Sequence, residues 1–157
     1  MAGGRLVRGR GVAHTGTTAQ TVIDRVTVPG GAMGPNGALR ISALWQYTDS
    51  ATNKILRART AAAGGDGLTG HTVAEVTVST TRTFIDTRIW RNQNSQSVQA
   101  GFRAAATNAI AGTATTDYAT GAQDTSVDFD VVFTAELASG SANAQLVWWM
   151  VEVFHGA

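Results

Sequence analysis

The sequence predicts an all-β fold, an antiparallel jelly-roll-like β-sandwich of roughly eight strands. Three observations carry that reading. Apolar residues recur at every second position, turn residues cut the chain about every ten residues, and no segment sustains a helical period. Successive side chains on a strand point to opposite faces, so alternation marks a strand with one side in a core.

In chain order, residues 1–15 hold Arg5, Arg8 and Arg10 among glycines, with no acid before Asp24. Glycine-rich termini stay loose until something ties them down. This stretch therefore reads as a flexible basic N-terminal arm, ahead of a sandwich domain over residues 16–157. Residues 21–28 form a strand closed by Pro29-Gly30-Gly31, because proline donates no ladder hydrogen bond. Gly34-Pro35-Asn36-Gly37 is a turn leading into residues 38–48. There Leu39, Ile41, Ala43, Trp45 and Tyr47 alternate with Arg40, Ser42, Leu44, Gln46 and Thr48, and the first set is the core side.

Residues 54–60, 72–78, 83–90 and 98–104 are further strands, with a glycine-rich loop at 63–67. The alanine-rich segment 101–112 tempts as a helix, but its flanking glycines and internal Thr-Asn favour strand and loop. Val127, Phe129, Val131, Phe133 and Ala135 share one strand face, opposite Asp128, Asp130, Thr134 and Glu136. A loop at 139–143 precedes the last strand.

That last strand, residues 146–154 (LVWWMVEVF), is apolar on both faces. Strict alternation places Leu146, Trp148, Met150 and Phe154 on one side and Val147, Trp149, Val151 and Val153 on the other. Such a strand is either buried on both sides or turns one face to another subunit. Trp148, Trp149, Val151 and Val153 are accordingly interface candidates, together with Arg5, Arg8 and Arg10. The arm suits either a nucleic acid or a neighbouring protein. The rest of the chain adds no basic excess, which favours the protein.

Composition narrows the function classes. The chain has 157 residues and no cysteine, so disulfides and thiolate metal sites are excluded and the redox compartment stays open. A domain of this size buries roughly 70% of its unfolded surface and needs no staple. No window approaches the ~18 apolar residues of a membrane span, and the first residues lack the apolar stretch of a secretory signal. A net charge of +1 gives no global pull toward nucleic acid.

Candidate chemistry is sparse. His14, His71 and His155 share no metal-ligand spacing, and Gly-rich segments lack a phosphate-loop lysine. Asp128 and Asp130 lie about 7 Å apart on one strand face, and with Asp124 they suit a calcium ion, a glycosidase pair or a solvated polar face. The face reading satisfies the alternation without further assumption. No nucleophile elbow is present, so no catalytic residue, cofactor or metal ligand is assigned. Trp90 precedes an amide-rich loop, and Trp90, Asn92, Asn94 and Gln96 are the candidates for a glycan- or partner-reading surface.

These residues also carry a resemblance. The stretch from Thr17 to Gln20, then Val26-Thr27-Val28-Pro29-Gly30-Gly31, Met33-Gly34-Pro35-Asn36-Gly37 and Leu39-Arg40-Ile41 resembles bacteriophage virion proteins of jelly-roll type. The Asn92-Gln93-Asn94-Ser95-Gln96 loop and the final hairpin, with Glu152 in its last strand, are similar to theirs. The resemblance spans residues 16–155 and transfers no catalytic position. It implies a non-enzymatic virion protein assembled in the host bacterial cytoplasm. Its partners would be itself, as a homotrimer, and a major capsid protein or other virion protein, with no membrane or nucleic-acid partner. A capsid decoration (cement) protein fits first, because no fibre repeat or coiled-coil stem is present. A receptor- or glycan-binding domain of a tail fibre or spike is the alternative.

Overall fold

The computed structural model describes residues 5–11, 13–80, 82–103 and 118–157. Among them the chain forms only strands: β1 (Arg5–Gly9), β2 (Ala13–Thr15), β3 (Thr21–Val28), β4 (Ala38–Tyr47), β5 (Lys54–Ala62), β6 (His71–Val78), β7 (Thr83–Asn92), β8 (Gln99–Arg103), β9 (Tyr118–Gly121), β10 (Phe129–Leu137) and β11 (Asn143–Phe154). The alternating segments of the sequence account for β3 to β8, β10 and β11. The helix-or-loop question at residues 104–112 lies outside the described residues.

The strands make two antiparallel sheets. The large sheet runs β1-β11-β4-β7-β8-β9, with β2 also on β11, and the small sheet runs β3-β10-β5-β6. The pairing is nested: β1 and β2 with β11, β3 with β10, β4 with β7, and β5 with β6. Successive pairs of this rolled ribbon fall alternately in the large and small sheets. That is a jelly roll, with β8 and β9 extending the large sheet beyond it.

The arm reading needs correction. Residues 5–9 and 13–15 are strands laid along β11, with Gly9 opposite Trp149 and Thr15 opposite Asn143. The long edge of β11 offers unpaired backbone groups that these residues satisfy. Gly9 and Gly11 serve close approach. A Cβ on Gly9 would sit 2.4 Å from Cζ2 of Trp149, and one on Gly11 2.8 Å from Cγ2 of Ile23.

Between the sheets lie Leu39, Ile41, Trp45 and Tyr47 of β4, Phe129, Val131 and Phe133 of β10, Leu56 of β5 and Val73 of β6, all buried. Trp45 and Tyr47 thus occupy the core side expected for them. The ring of Phe133 meets that of Trp149 at 5.4 Å between centroids, joining the sheets. The inward side of β7 also buries charge: Nε of Arg88 donates to Oδ2 of Asp86 at 2.8 Å. Both line a cavity of about 20 Å³, large enough for one water.

On β11 the pairing with β4 shifts register between Leu146 and Trp148. This bulge breaks the strict alternation expected there, because one extra residue reverses the facing of everything after it. Ala144 and Leu146 face the core before it; Trp149, Val151 and Val153 face the core after it.

Candidate interaction surfaces

The bulge leaves Trp148, Met150, Glu152 and Phe154 on the outer face of the large sheet. Register aligns them in rows. Trp148 lies opposite Leu44, which lies opposite Ile85; Met150 opposite Ser42 and then Thr87; Glu152 opposite Arg40, Ile89 and Phe102. Ile85 is 64% exposed and Phe102 and Phe154 are each 45% exposed. Trp148, Leu44, Met150 and Ile89 are half-buried. Cross-strand neighbours stand within contact range, so Trp148, Leu44 and Ile85 form one apolar row and Ile89 and Phe102 meet in another, with the Ser42–Thr87 and Arg40–Glu152 pairs set among them.

Arg40 and Glu152 make the ion pair of this face. Hydrogen bonding to Glu152 holds the Arg40 guanidinium above its ordinary pKa, against a smaller opposing effect of burial. The guanidinium also lies 5.7 Å from the centre of the Phe154 ring. Ser42 and Thr87 share a hydrogen bond at 3.1 Å.

The outer face of the small sheet is different in kind. Arg57 of β5 donates to Glu75 of β6 at 2.5 Å and to Glu136 of β10 at 2.7 Å. Arg25 of β3 donates to the Gly65 carbonyl at 2.7 Å and faces Asp130 at 3.4 Å. Gln20 donates to Thr134 at 2.9 Å. Here polar groups meet one another across neighbouring strands, with Asp130 and Thr134 themselves buried.

Interface candidates from the sequence divide accordingly. Trp148 is on the outer apolar face. Trp149, Val151 and Val153 are core residues of this chain, placed inward by the bulge. Arg5 and Arg8 lie in β1, in register with Val153 and Met150, and Arg10 is exposed between β1 and β2.

The expected glycan-reading surface is corrected at its two leading residues. Trp90 is fully buried. A Cβ on Gly101 of β8 would meet its ring at 2.4 Å, and one on Gly121 of β9 at 2.5 Å, so these glycines form the slot that holds the indole. Asn92 is buried too. Its Nδ2 donates to the Gly34 carbonyl at 2.6 Å and to Oγ1 of Thr125 at 2.8 Å, and its Oδ1 accepts from Nε2 of Gln99 at 2.9 Å. This buried cluster ties the loop to the turn at residues 34–37. Asn94 is exposed and takes a left-handed conformation, φ 52°, with its N–H on Oδ1 of Asn36. Gln96 is half-buried, and its carbonyl accepts from Thr125.

The three aspartates are separated by role. Asp124 accepts from the backbone and hydroxyl of Ser126. Asp128 accepts from the Gly30 N–H at 2.8 Å. Asp130 is buried, not solvated: it accepts from Thr27 at 2.7 Å and the Gly64 N–H at 3.0 Å, and loop 63–67 closes over it. Among the described residues no three His, Asp or Glu side chains gather as metal ligands. His14 is buried on β2, His71 begins β6, and His155 lies by the Ala32 carbonyl.

Sequence reading missed the apolar rows as a unit. Their signal was present in Leu44, Ile85 and Ile89, apolar residues at positions that alternation assigns to the outside.

No protein-family model matches this chain, and no curated protein matches it. Solved structures do. A structure of infectious bursal disease virus, Gx strain, is similar over 98% of this chain and 33% of that one, with 10% identity and a TM-score of 0.41. The VP2 subviral particle of infectious bursal disease virus is similar over the same shares, with 10% identity and a TM-score of 0.44. Winged bean acidic lectin complexed with methyl-α-D-galactose is similar over 96% of this chain and 92% of its own, with 6% identity and a TM-score of 0.41. The chain spans 33% of the length of the two viral chains. The likeness is one of sandwich shape, and the fold itself stands on the nested strand pairing.

Proposed function

We propose that this chain is a non-enzymatic structural protein of a bacteriophage virion, a capsid decoration protein that assembles and holds a capsid lattice. The observation that carries this reading is the apolar outer face of the large sheet. A soluble monomer rarely leaves such a surface to water, and burying it would stabilise an assembly by roughly 25 cal/mol per Å² removed. The motif resemblance to phage jelly-roll proteins supplies the setting, and the nested ribbon agrees with it.

Add-back to phage shells that lack the protein tests this function. The purified chain should co-sediment with such shells at a fixed ratio to lattice units and raise the temperature at which they open. A chain that stays in the supernatant and leaves shell opening unchanged overturns the reading.

A further inference from the structure

Beyond the apolar rows, the outer face of the large sheet ends in a row of amides. Gln145 of β11 lies opposite Ala13 of β2 on one side and Gln46 of β4 on the other, and Gln46 lies opposite Thr83 of β7. With the segments that follow β4 and precede β7, this row encloses a groove of about 450 Å³. Gln46, Gln145, Asn143, Thr48, Asp49 and Arg82 line it. Small-molecule sites occupy roughly 300–1,000 Å³.

Backbone hydrogen bonds fix the walls. The Tyr47 N–H donates to the Arg82 carbonyl at 3.0 Å, the Thr48 N–H to the Asn143 carbonyl at 3.2 Å, and the Asn143 N–H to Oγ1 of Thr48 at 3.0 Å. Next to Asp49, Ser50 is held by the fully buried Lys54. Its ammonium donates to the Ser50 carbonyl at 3.0 Å, to Oγ of Ser50 at 2.9 Å and to the Ser79 carbonyl at 3.0 Å. A groove fixed in advance spares a ligand the cost of ordering its walls.

The lining keeps its hydrogen-bonding capacity. Among the described residues, no group hydrogen-bonds the side-chain amides of Gln46, Gln145 and Asn143. Each offers two N–H donors and one carbonyl acceptor at its tip. Asp49 and Arg82 lie 3.7 Å apart, so the two charges of the lining pair with each other.

Independently of the assembly reading above, we infer that this groove binds a neutral saccharide. A pyranose carries hydroxyls around its edge, each both donor and acceptor, and apolar C–H groups on its faces. One amide can donate to one hydroxyl and accept from its neighbour, a match that a purely basic or purely apolar lining does not provide. The row Trp148–Leu44–Ile85 is the next along the sheet, with Leu44 two residues from Gln46 on the same face. It gives the C–H groups an apolar border. Uncharged amides and a self-paired Asp49 and Arg82 favour a neutral sugar over one that bears phosphate or carboxylate. On a virion, such a groove would hold the particle to a glycan-bearing surface.

Amide-resolved NMR titration of the isotope-labelled full chain tests this. The probes are methyl glycosides of glucose, galactose, mannose and N-acetylglucosamine, with maltose and lactose. At least one should move the side-chain amide signals of Gln46, Gln145 and Asn143, with a Kd on the order of 1 mM or tighter. Gln46→Ala and Gln145→Ala should each weaken that sugar about 10-fold, as expected for a hydrogen bond or two lost. Gln93→Ala, an exposed amide in the loop at the opposite end of β7, should leave binding unchanged. Gln46 and Gln145 make no side-chain hydrogen bond within the described residues, so all three variants should unfold near the wild-type temperature.

Glycerol has hydroxyls but no ring face, and should bind at least about 10-fold more weakly than the sugar. Glucuronate and a glucose phosphate should also bind more weakly. The absence of saccharide binding at about 10 mM overturns the inference. So does equal binding of glycerol, tighter binding of the charged sugars, or an affinity that Gln46→Ala and Gln145→Ala leave unchanged. Shell binding separates this inference from the function proposed above. A chain that decorates shells but binds no sugar overturns only the groove, and one that binds sugar but no shell overturns only the decoration reading.

Discussion

Trp149 of the large sheet donates its indole N–H to Oδ2 of Asp24 on the small sheet at 2.7 Å. The other oxygen of Asp24 accepts from the Arg25 N–H at 2.8 Å. One side chain thus packs on Phe133 within the core and closes the sandwich edge with a charge-assisted hydrogen bond. Trp149→Phe keeps most of the ring and strands the carboxylate, so it should cost about 1–3 kcal/mol. Trp149→Ala should cost about 3–5 kcal/mol. Urea unfolding of both measures the split, and equal losses would mean that the hydrogen bond contributes nothing separable.

The slot around Trp90 makes an opposite kind of prediction, in which added volume is harmful. Gly101→Ala sets a methyl group 2.4 Å from Cε3 of Trp90, inside any real contact. Overpacking of this sort costs about 1–3 kcal/mol. Trp90→Leu also destabilises by itself, through lost contact. In the double variant the smaller side chain leaves room for the methyl, so the two losses should fall short of their sum by at least about 0.5 kcal/mol. Additive losses would show that the glycine serves something other than the ring.

Asn92 and Asn94 sit two residues apart and should respond differently. Asn92→Ala takes from the buried Gly34 carbonyl and from Oγ1 of Thr125 the N–H groups they accept, at a cost of about 1–3 kcal/mol for a buried group left unpaired. At roughly 2–4 °C per kcal/mol for a domain of this size, thermal unfolding should register the loss plainly. Asn94→Gly meets a backbone already at φ 52° on the surface and should shift stability by no more than about 0.5 kcal/mol. Equal effects at both positions would contradict the buried cluster.

These contrasts also explain what could be read from sequence. Alternation reports which side of a strand a residue takes, and it placed the core side of β4 and the limits of β3 correctly. It does not report depth. Asp130 reads as solvated because it alternates with Phe129 and Val131, yet the distant loop at 63–67 and Arg25 close over it. Trp90 shares its side of β7 with Asp86, Arg88 and Asn92, a polar set that makes the face look exposed. The glycines that bury it come from β8 and β9. Nothing within residues 146–154 marks the bulge that separates Leu146 from Trp148. Leu44 and Ile85 become one surface only through strand pairing, which lies between segments and not within them.

The acid limb of stability offers a last test, through two exposed turn carboxylates. The Leu68 N–H, with help from Thr69, holds Asp66 below its ordinary pKa of 3.8. The hydroxyl and then the N–H of Ser126 do the same for Asp124. A carboxylate with a depressed folded pKa stabilises the fold fully above its unfolded pKa. Between the two values the unfolded chain binds more protons, so that stability drains away as pH falls through the folded pKa. Asp66→Asn and Asp124→Asn keep an acceptor oxygen for the turn but remove the titration. The double variant should therefore be somewhat less stable than wild type at about pH 7 and lose less on going to about pH 3, as read from denaturant midpoints. Parallel losses in the two proteins would place the acid sensitivity outside these two turns.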